Sequence, residues 1–507
     1  MAASSPLGDS YVGRKFFVGI LIILVFFVAA YLVRAAAYGR VFTVALILAG
    51  SGVVSWALLA RDRWWLLMPV AVSFGGFFYF GFRIMFHEAG LLFCFLPLAL
   101  SLAVDHRRMR TDRPPPPCSI FVLLAYLVFH CMVSLYLAKV NGTGGFGSIL
   151  RVYMRGLWPL AFLIAFVLYG RTGLIRVALA LMYLASLLRI VLGVLAIVFP
   201  KMLYVPGINF ILPAQTTGGT DLRQSALLFL SYSLCYYAIS RRPVWRALHV
   251  VGSAVAMALI LFGAGRIGLG LGILTVFVFL VVNKQKTLLA VGAAGFLLIA
   301  GALNVHPDVL YETPDPVRRT LSVLVLRSPY HGLHKEVALS NEWHFQLARK
   351  AHYRWLESPL SFFFGRRVMP FSEDYTALSA SFHSRLQIAA EMGTYESGLW
   401  TILAVTGAVG ALLFLWVFRD LLRGIPRALW RDGICDYAHA FYFLAFLNII
   451  SWVLVCWIAG HFPGTEFMLA GIASAVLYDQ RHALAPDASS EAALSANVPA
   501  PTAEMSG

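Results

Sequence analysis

Residues 286–303 read KTLLAVGAAGFLLIAGAL, and Asn304 then opens a polar run that ends only at Ser397. The first stretch is eighteen residues with a single charge at its start, close to the roughly 20 apolar residues that a membrane-crossing helix needs. The second, 304–397, holds ten Lys/Arg, ten Asp/Glu and six of the thirteen histidines. Read outward from this junction, the chain alternates membrane-length apolar runs with short loops on both sides. The one long loop is therefore the place to look for chemistry.

Composition agrees with that reading. Hydrophobic residues make up 60% of the 507 and charged residues only 13%, which excludes a soluble globular domain and points to a polytopic helical membrane protein. The apolar runs fall at about 16–33, 41–60, 64–82, 89–104, 119–138, 156–170, 173–200, 224–240, 246–264, 266–283, 286–303, 398–418, 437–458 and 463–478. They are unbroken rather than alternating, so a β-barrel is excluded. The expected fold is an all-α polytopic integral membrane protein with about 12–14 transmembrane helices and one large extracytoplasmic loop. Its parts are an N-terminal tail (1–15), helices 1–11 (16–303), a large, partly helical loop (304–397), helices 12–14 (398–478) and a disordered tail (479–507). The basic flank Arg14-Lys15 and the small residues Ala35-Ala36-Ala37 give the first run a superficial likeness to a signal peptide. The spans that follow at once favour a retained first helix.

Charge sets the expected orientation. With a cytoplasmic N-terminus, the even-numbered loops carry Arg61/Arg63, Arg107/Arg108/Arg110/Arg113, Arg171/Arg176, Arg241/Arg242/Arg246, Lys284/Lys286 and Arg419/Arg423/Arg427/Arg431. That bias satisfies the positive-inside rule. The net charge of +16 then needs no nucleic acid, and both termini are expected in the cytoplasm with the long loop outside. The six cysteines all fall in spans or cytoplasmic loops, so neither a disulfide framework nor a zinc site is indicated.

Arginines punctuate the outer ends of the spans at 34, 83, 151, 155, 223 and 266. Long side chains snorkel from such positions, but two stand out. Arg189 lies well inside the seventh run, where an ionisable group is costly and tends to face a cavity or a partner. Arg266 interrupts Gly263-Ala264-Gly265-Arg266-Ile267-Gly268, where glycine permits close approach of backbone or ligand. The 201–223 loop, with Thr216-Thr217-Gly218-Gly219-Thr220 and Arg223 at its end, reads equally as a cap over a cavity and as an ordinary connection. In the long loop a helix is expected from Ser340 through Leu356, ending before Pro359. His344 and His352 roughly share one face of it, with Glu342 the only close acid, too few donors to indicate a metal. The strip Leu360-Ser361-Phe362-Phe363-Phe364 is expected to pack beneath the loop rather than lie on the membrane.

No nucleophile elbow, P-loop, dinucleotide fingerprint or HExxH occurs in a usable context. Arginine recognises phosphate by paired hydrogen bonds and can stabilise a leaving pyrophosphate. A carboxylate or histidine can take the proton of an incoming hydroxyl.

Two short motifs carry a resemblance. Gly263-Ala264-Gly265-Arg266-Ile267-Gly268 is one; Glu396-Ser397-Gly398-Leu399-Trp400 followed by Gly407-Ala408-Val409-Gly410 is the other. With Arg349 to Gly365 between them, including Trp355 and Pro359, the chain resembles the bacterial O-antigen polymerase and O-antigen ligase superfamily. Where the ligases typically have histidine, this chain has Glu396, closer to the polymerase side. A competing register uses His383-Ser384-Arg385-Leu386-Gln387 with Glu391 and Gly393.

The resemblance implies a GT-C-like, metal-independent inner-membrane glycosyltransferase without a cofactor. It would polymerise or ligate undecaprenyl-pyrophosphate-linked glycan on the periplasmic face, for O-antigen, capsule or exopolysaccharide. Glu396, Arg266 and His383 are then the candidate catalytic residues. Arg266, Arg349, Arg354, Arg223 and Arg189 are the candidates for holding the pyrophosphate. Expected partners are the lipid-linked oligosaccharide, membrane lipid and a chain-length regulator protein, and no nucleic acid. The alternative is a lipid-linked oligosaccharide flippase without catalytic activity, although its loops would usually be short throughout. Polyprenyl-phosphate-sugar transferases with acids in the first outward loop fit less well, because 34–40 contains none.

Overall fold

The computed structural model describes residues 63–79, 83–141, 146–198, 209–211, 220–263, 265–325, 331–366, 386, 390, 395–457 and 462–484. The chain is an α-helical multi-pass membrane protein. Among the described residues, eight helices are long and apolar enough to cross a membrane. The two earliest expected spans, the tail after residue 484 and His383 lie outside the described residues.

A 3-10 turn, Trp64–Leu66, leads into α1 (Leu67–Phe74). The expectation of a full span over 64–82 fails here. Gly75 and Gly76 both take positive φ (65° and 97°), which ends the helix and starts a hairpin. Its strands are β1 (Phe77–Tyr79) and β2 (Arg83–Met85), and β3 (Asn209–Ile211) from the 201–223 loop pairs antiparallel on the other side of β1. The register sets Phe78 opposite both Ile84 and Phe210. This small sheet is a departure from the all-helical expectation.

Helices α2 (Phe86–Met109), α3 (Cys118–Val140), α4 (Phe146–Tyr169) and α5 (Ile175–Val198) follow. Next come α6 (Thr220–Ile239), α7 (Pro243–Phe262), α8 (Arg266–Val282) and α9 (Lys286–Val305). α2 starts earlier than hydropathy suggests because Glu88 accepts the Met85 N–H at 2.8 Å, satisfying a donor left over at the helix start. α9 buries only Leu303, near its end, so nearly all of its apolar surface is left to lipid.

The polar segment contains α10 (Asp315–Leu321), α11 (His331–Leu356) and α12 (Pro359–Phe364). α11 begins nine residues before the Ser340 expected from capping preferences. α13 (Gly398–Leu422), α14 (Ile425–Asp432), α15 (Tyr437–Val455) and α16 (Thr465–Leu484) complete the described chain. α13, α15 and α16 are central, with Phe414, Phe441, Tyr442, Phe443 and Phe467 almost wholly buried.

Consecutive helices pack on one another (α3 on α4, α5 on α6, α6 on α7, α15 on α16), with chain direction reversing between them. The reversals gather the sheet, the first turns of α6 and α8, the described helices of the polar segment and the start of α13 at one end. The opposite end collects Arg113, which grips Asp479 from α16, together with Arg171 and Arg176.

Candidate functional site

α13 is broken. Gly407 has φ 71° and ψ −172°, a backbone region open essentially to glycine, in the middle of a membrane-length helix. Irregular backbone at that depth survives only where protein satisfies its polar groups, and the chain supplies those partners one by one. The Arg366 N–H donates to the Ala404 carbonyl at 2.7 Å, the Tyr126 hydroxyl from α3 donates to Thr406 O at 2.6 Å, and the Thr406 hydroxyl donates to Ile402 O at 2.8 Å.

The short helix α12 docks at the break. Gly365, at φ 70°, closes α12 and lies directly on the Val405–Thr406 backbone, while Gly407 lies on the backbone of Phe363 and Gly365. Two glycines from stretches far apart in sequence thus meet main chain to main chain. The Leu360–Phe364 strip packs against α13, and Trp355 stacks on Phe362 at 5.0 Å while its indole N–H donates to the Phe362 carbonyl.

Glu396 stands immediately before α13 with φ +54°, a left-handed conformation that costs a non-glycine residue about 1–2 kcal/mol. Neighbours on both sides hold it there. Ser397 caps α13, accepting from the Trp400 N–H and donating to the Cys456 carbonyl at the end of α15. Tyr395 is buried, and its hydroxyl lies 3.5 Å from Arg354 Nη1. Burial raises the Tyr395 phenol above its ordinary pKa, partly offset by the nearby Arg354 charge.

The Glu396 carboxylate remains half exposed, accepting the Trp343 indole N–H at 3.0 Å, with His344 Nδ1 3.7 Å away. The carboxylate thus has one neutral donor and one titratable ring beside it. Nearly half of the side chain's surface is exposed among the described residues, an arrangement able to accept a proton from a substrate hydroxyl.

The proposed arginines separate into groups. Arg223, in the first turn of α6, runs across the glycines of the α7–α8 elbow. A Cβ at Gly263 would lie 2.7 Å from Arg223 Cβ, and Cβ atoms at Gly265 or Gly268 would overlap its side chain. The glycines around Arg266 therefore make room for a second arginine. Arg266 opens α8, and Arg319 of α10 is close enough to repel it. α10 is fixed against α7 by the Thr320 hydroxyl, which donates to Leu261 O at 3.1 Å. Arg318 is turned away and paired with Asp315. Among the described residues no carboxylate pairs with Arg266 or Arg319.

Arg354 is engaged by the protein, donating to the Ala390 carbonyl as well as lying near Tyr395, and so ties Ala390 to the residue that precedes Glu396. Arg349, one turn earlier, is exposed and lies over the Tyr353 ring at 5.5 Å. Arg189 belongs to neither group. It is 3% exposed on α5, over the Phe74 ring at 5.7 Å and beneath the Gly76 turn of the hairpin.

Glu342 bonds Gln346 rather than approaching either histidine, and His352 sets its ring against Trp400 at 5.6 Å. The two histidines therefore do not converge. Trp343, Tyr395, Arg319 and the Gly365–Gly407 contact were not legible as site features, because each acts through a partner distant in the chain.

Comparison with protein-family models, with curated proteins and with solved structures finds no match to this chain.

Proposed function

We propose that the chain is a membrane glycosyltransferase that polymerises, or ligates, polyprenyl-pyrophosphate-linked glycan, with the site at the extracytoplasmic face of a bacterial inner membrane. The observation that carries this reading is the approach of Arg223 to the glycine-lined elbow from which Arg266 opens α8, with Arg319 close enough to repel Arg266. Like charges in one place repel unless an anion is shared between them, and guanidinium groups suit a diphosphate. In this proposal Arg266 and Arg223 hold the pyrophosphate and Arg319 adds charge to the leaving group. Glu396, positioned by Trp343 and by the Arg354–Tyr395 contact, takes the proton of the acceptor hydroxyl. The aromatic rings of Trp343 and Trp400 offer apolar faces to a sugar beside it.

The test is the size ladder of envelope glycan in a strain whose own gene is replaced by Arg266→Ala. Loss of long chains with normal insertion of the protein supports the reading, and an unchanged ladder removes Arg266 from the site. A second reading, transport of lipid-linked oligosaccharide without chemistry, draws on the broken helix α13, since discontinuous spans line the substrate sites of many transporters. Glu396→Gln separates the two. It retains the hydrogen bond from Trp343 but cannot act as a base, so it blocks a transferase and spares a transporter that does not depend on that charge.

A further inference from the structure

The end of the bundle opposite the candidate site carries a second cluster of reactive side chains, in the loop between α14 and α15. The sequence is Asp432-Gly433-Ile434-Cys435-Asp436-Tyr437-Ala438-His439. Cys435 Sγ lies 3.3 Å from His439 Nδ1, and Asp436 Oδ1 lies 2.8 Å from the same nitrogen. One donor atom from each of the three residues falls within 4.8 Å of the others. On the far side of the ring, His439 Nε2 is 3.7 Å from Asp432 Oδ2. We propose that Cys435, Asp436 and His439 bind a divalent cation of borderline softness, Zn2+ by the chemistry of the donors, with Asp432 orienting the imidazole.

Three observations carry the proposal. The first is spacing. Tetrahedral zinc with bonds of about 2.3 Å to sulfur and about 2.0–2.1 Å to nitrogen and oxygen sets S···N near about 3.5 Å and N···O near about 3.3 Å. The sulfur is therefore already close to place, and the carboxylate needs to move by about half an ångström.

The second is competition for one atom. Nδ1 faces both a thiol and a carboxylate and can satisfy only one of them with a single proton, whereas a cation placed among the three contacts all of them. Asp436 already accepts the His439 backbone N–H as the cap of α15, and an ionised carboxylate has lone pairs left for a metal.

The third is rigidity. Gly433 turns the chain at φ 69°, Ile434 is buried, and its N–H donates to Asn283 Oδ1 at 3.1 Å. The loop is held before any ligand arrives. The Asp432 carboxylate beyond the ring, 3.7 Å from Nε2, stands on the side from which a metal-bound histidine is usually supported.

Thiol and imidazole donors select against Ca2+ and Mg2+, which prefer oxygen. The positive end of the α15 dipole is a small penalty for the cation, but it favours the ionised ligands. Partial desolvation and the carboxylates of Asp436 and Asp432 push the Cys435 thiol up, and a bound dication reverses that by replacing the S–H proton, which leaves to solvent. Three protein donors leave the fourth position to water or another small ligand.

The test uses the full chain in detergent, stripped with a chelator and titrated with Co2+ as a spectroscopic stand-in for Zn2+. The expected result is a near-ultraviolet thiolate-to-cobalt band saturating at one equivalent, bleached by Zn2+. Its affinity should rise about tenfold per pH unit while the thiol is protonated. Cys435→Ser should remove the band, and Cys118→Ser, at the other exposed cysteine, should leave it. His439→Gln, and Asp436→Ser, which keeps a helix cap, should each weaken binding tenfold or more. No band in the unmodified chain, a band surviving Cys435→Ser, or an affinity unmoved by both other variants overturns the proposal.

Discussion

Replacing Gly407 by alanine tests the broken helix directly. The residue sits at φ 71°, ψ −172°, and a Cβ there would overlap the backbone of Phe363 and Gly365. Holding alanine in that backbone region costs about 1–3 kcal/mol. The overlap involves main chain, which cannot rotate away as a side-chain tip can, so overpacking adds about 1–3 kcal/mol. The expected loss is therefore about 2–6 kcal/mol, a large share of a typical folding free energy of about 5–15 kcal/mol.

Gly365→Ala should behave alike, since its Cβ would stand 2.5 Å from Thr406 N at φ 70°. Gly292→Ala in α9 is the control, with nothing within 4 Å of the added carbon and a helical backbone. It should be neutral or stabilising by up to about 1 kcal/mol. The assay is thermal unfolding of detergent-purified protein followed by size-exclusion chromatography. If Gly407→Ala and Gly365→Ala unfold at the same temperature as the parent, α12 is not seated in the break, and the account of α13 fails.

Gly265→Ala should act on function and spare stability, because the atoms it displaces belong to the movable end of Arg223; its glycan ladder should match that of Arg223→Ala. Arg266→Ala should reduce polymer formation by about 10²–10³-fold, the usual effect of losing one fixed donor to a developing negative charge. Glu396→Gln should lose about 10²–10⁴-fold in the same assay while unfolding normally, as expected for a base.

Tyr395→Phe should alter the alkaline limb of stability. The folded-state pKa of this phenol is raised by burial, so its contribution is complete below the unfolded value of about 10 and is lost as pH rises through the folded value. The phenylalanine variant should therefore unfold less steeply above about pH 10. Asp436 runs the other way. Its hydrogen bond with His439 depresses the carboxyl pKa, so that stability is present above the unfolded value of about 3.9 and lost as pH falls through the folded one. Asp436→Ser should remove part of that acid sensitivity.

How much of this was legible in the amino-acid order differs by element. Helices α3 and α5–α9 fall close to their apolar runs, since the bilayer requires long, uninterrupted hydrophobic stretches and loops rich in charge at one end. The run over 64–82 misled because hydropathy does not register positive φ: Gly75 and Gly76 turn a stretch that is apolar throughout into a helix stub and a hairpin. α11 began earlier than its capping residues suggested, because Ser340 can lie inside a helix as readily as at its start.

Among the site candidates, Arg266 was visible as a charge set among glycines, but the purpose of those glycines was not. Only the packing of α6 against α7 and α8 shows that they accommodate Arg223. Glu396 was visible as an acid at a loop-to-helix boundary. Its left-handed backbone, its Trp343 partner 53 residues away and the Arg354–Tyr395 contact behind it required the fold.

The order of residues alone therefore determined that the chain is a helical membrane protein, where most of its spans lie and that one polar segment stands apart. Those properties depend on local composition measured against a bilayer of constant thickness. The seating of Gly365 on Gly407, the gathering of Arg223, Arg266 and Arg319, and the meeting of Cys435, Asp436 and His439 on a loop pinned by Asn283 were decided by tertiary structure. Close approach and convergent charge are relations between side chains and backbone brought together by packing, and no window along the chain contains them.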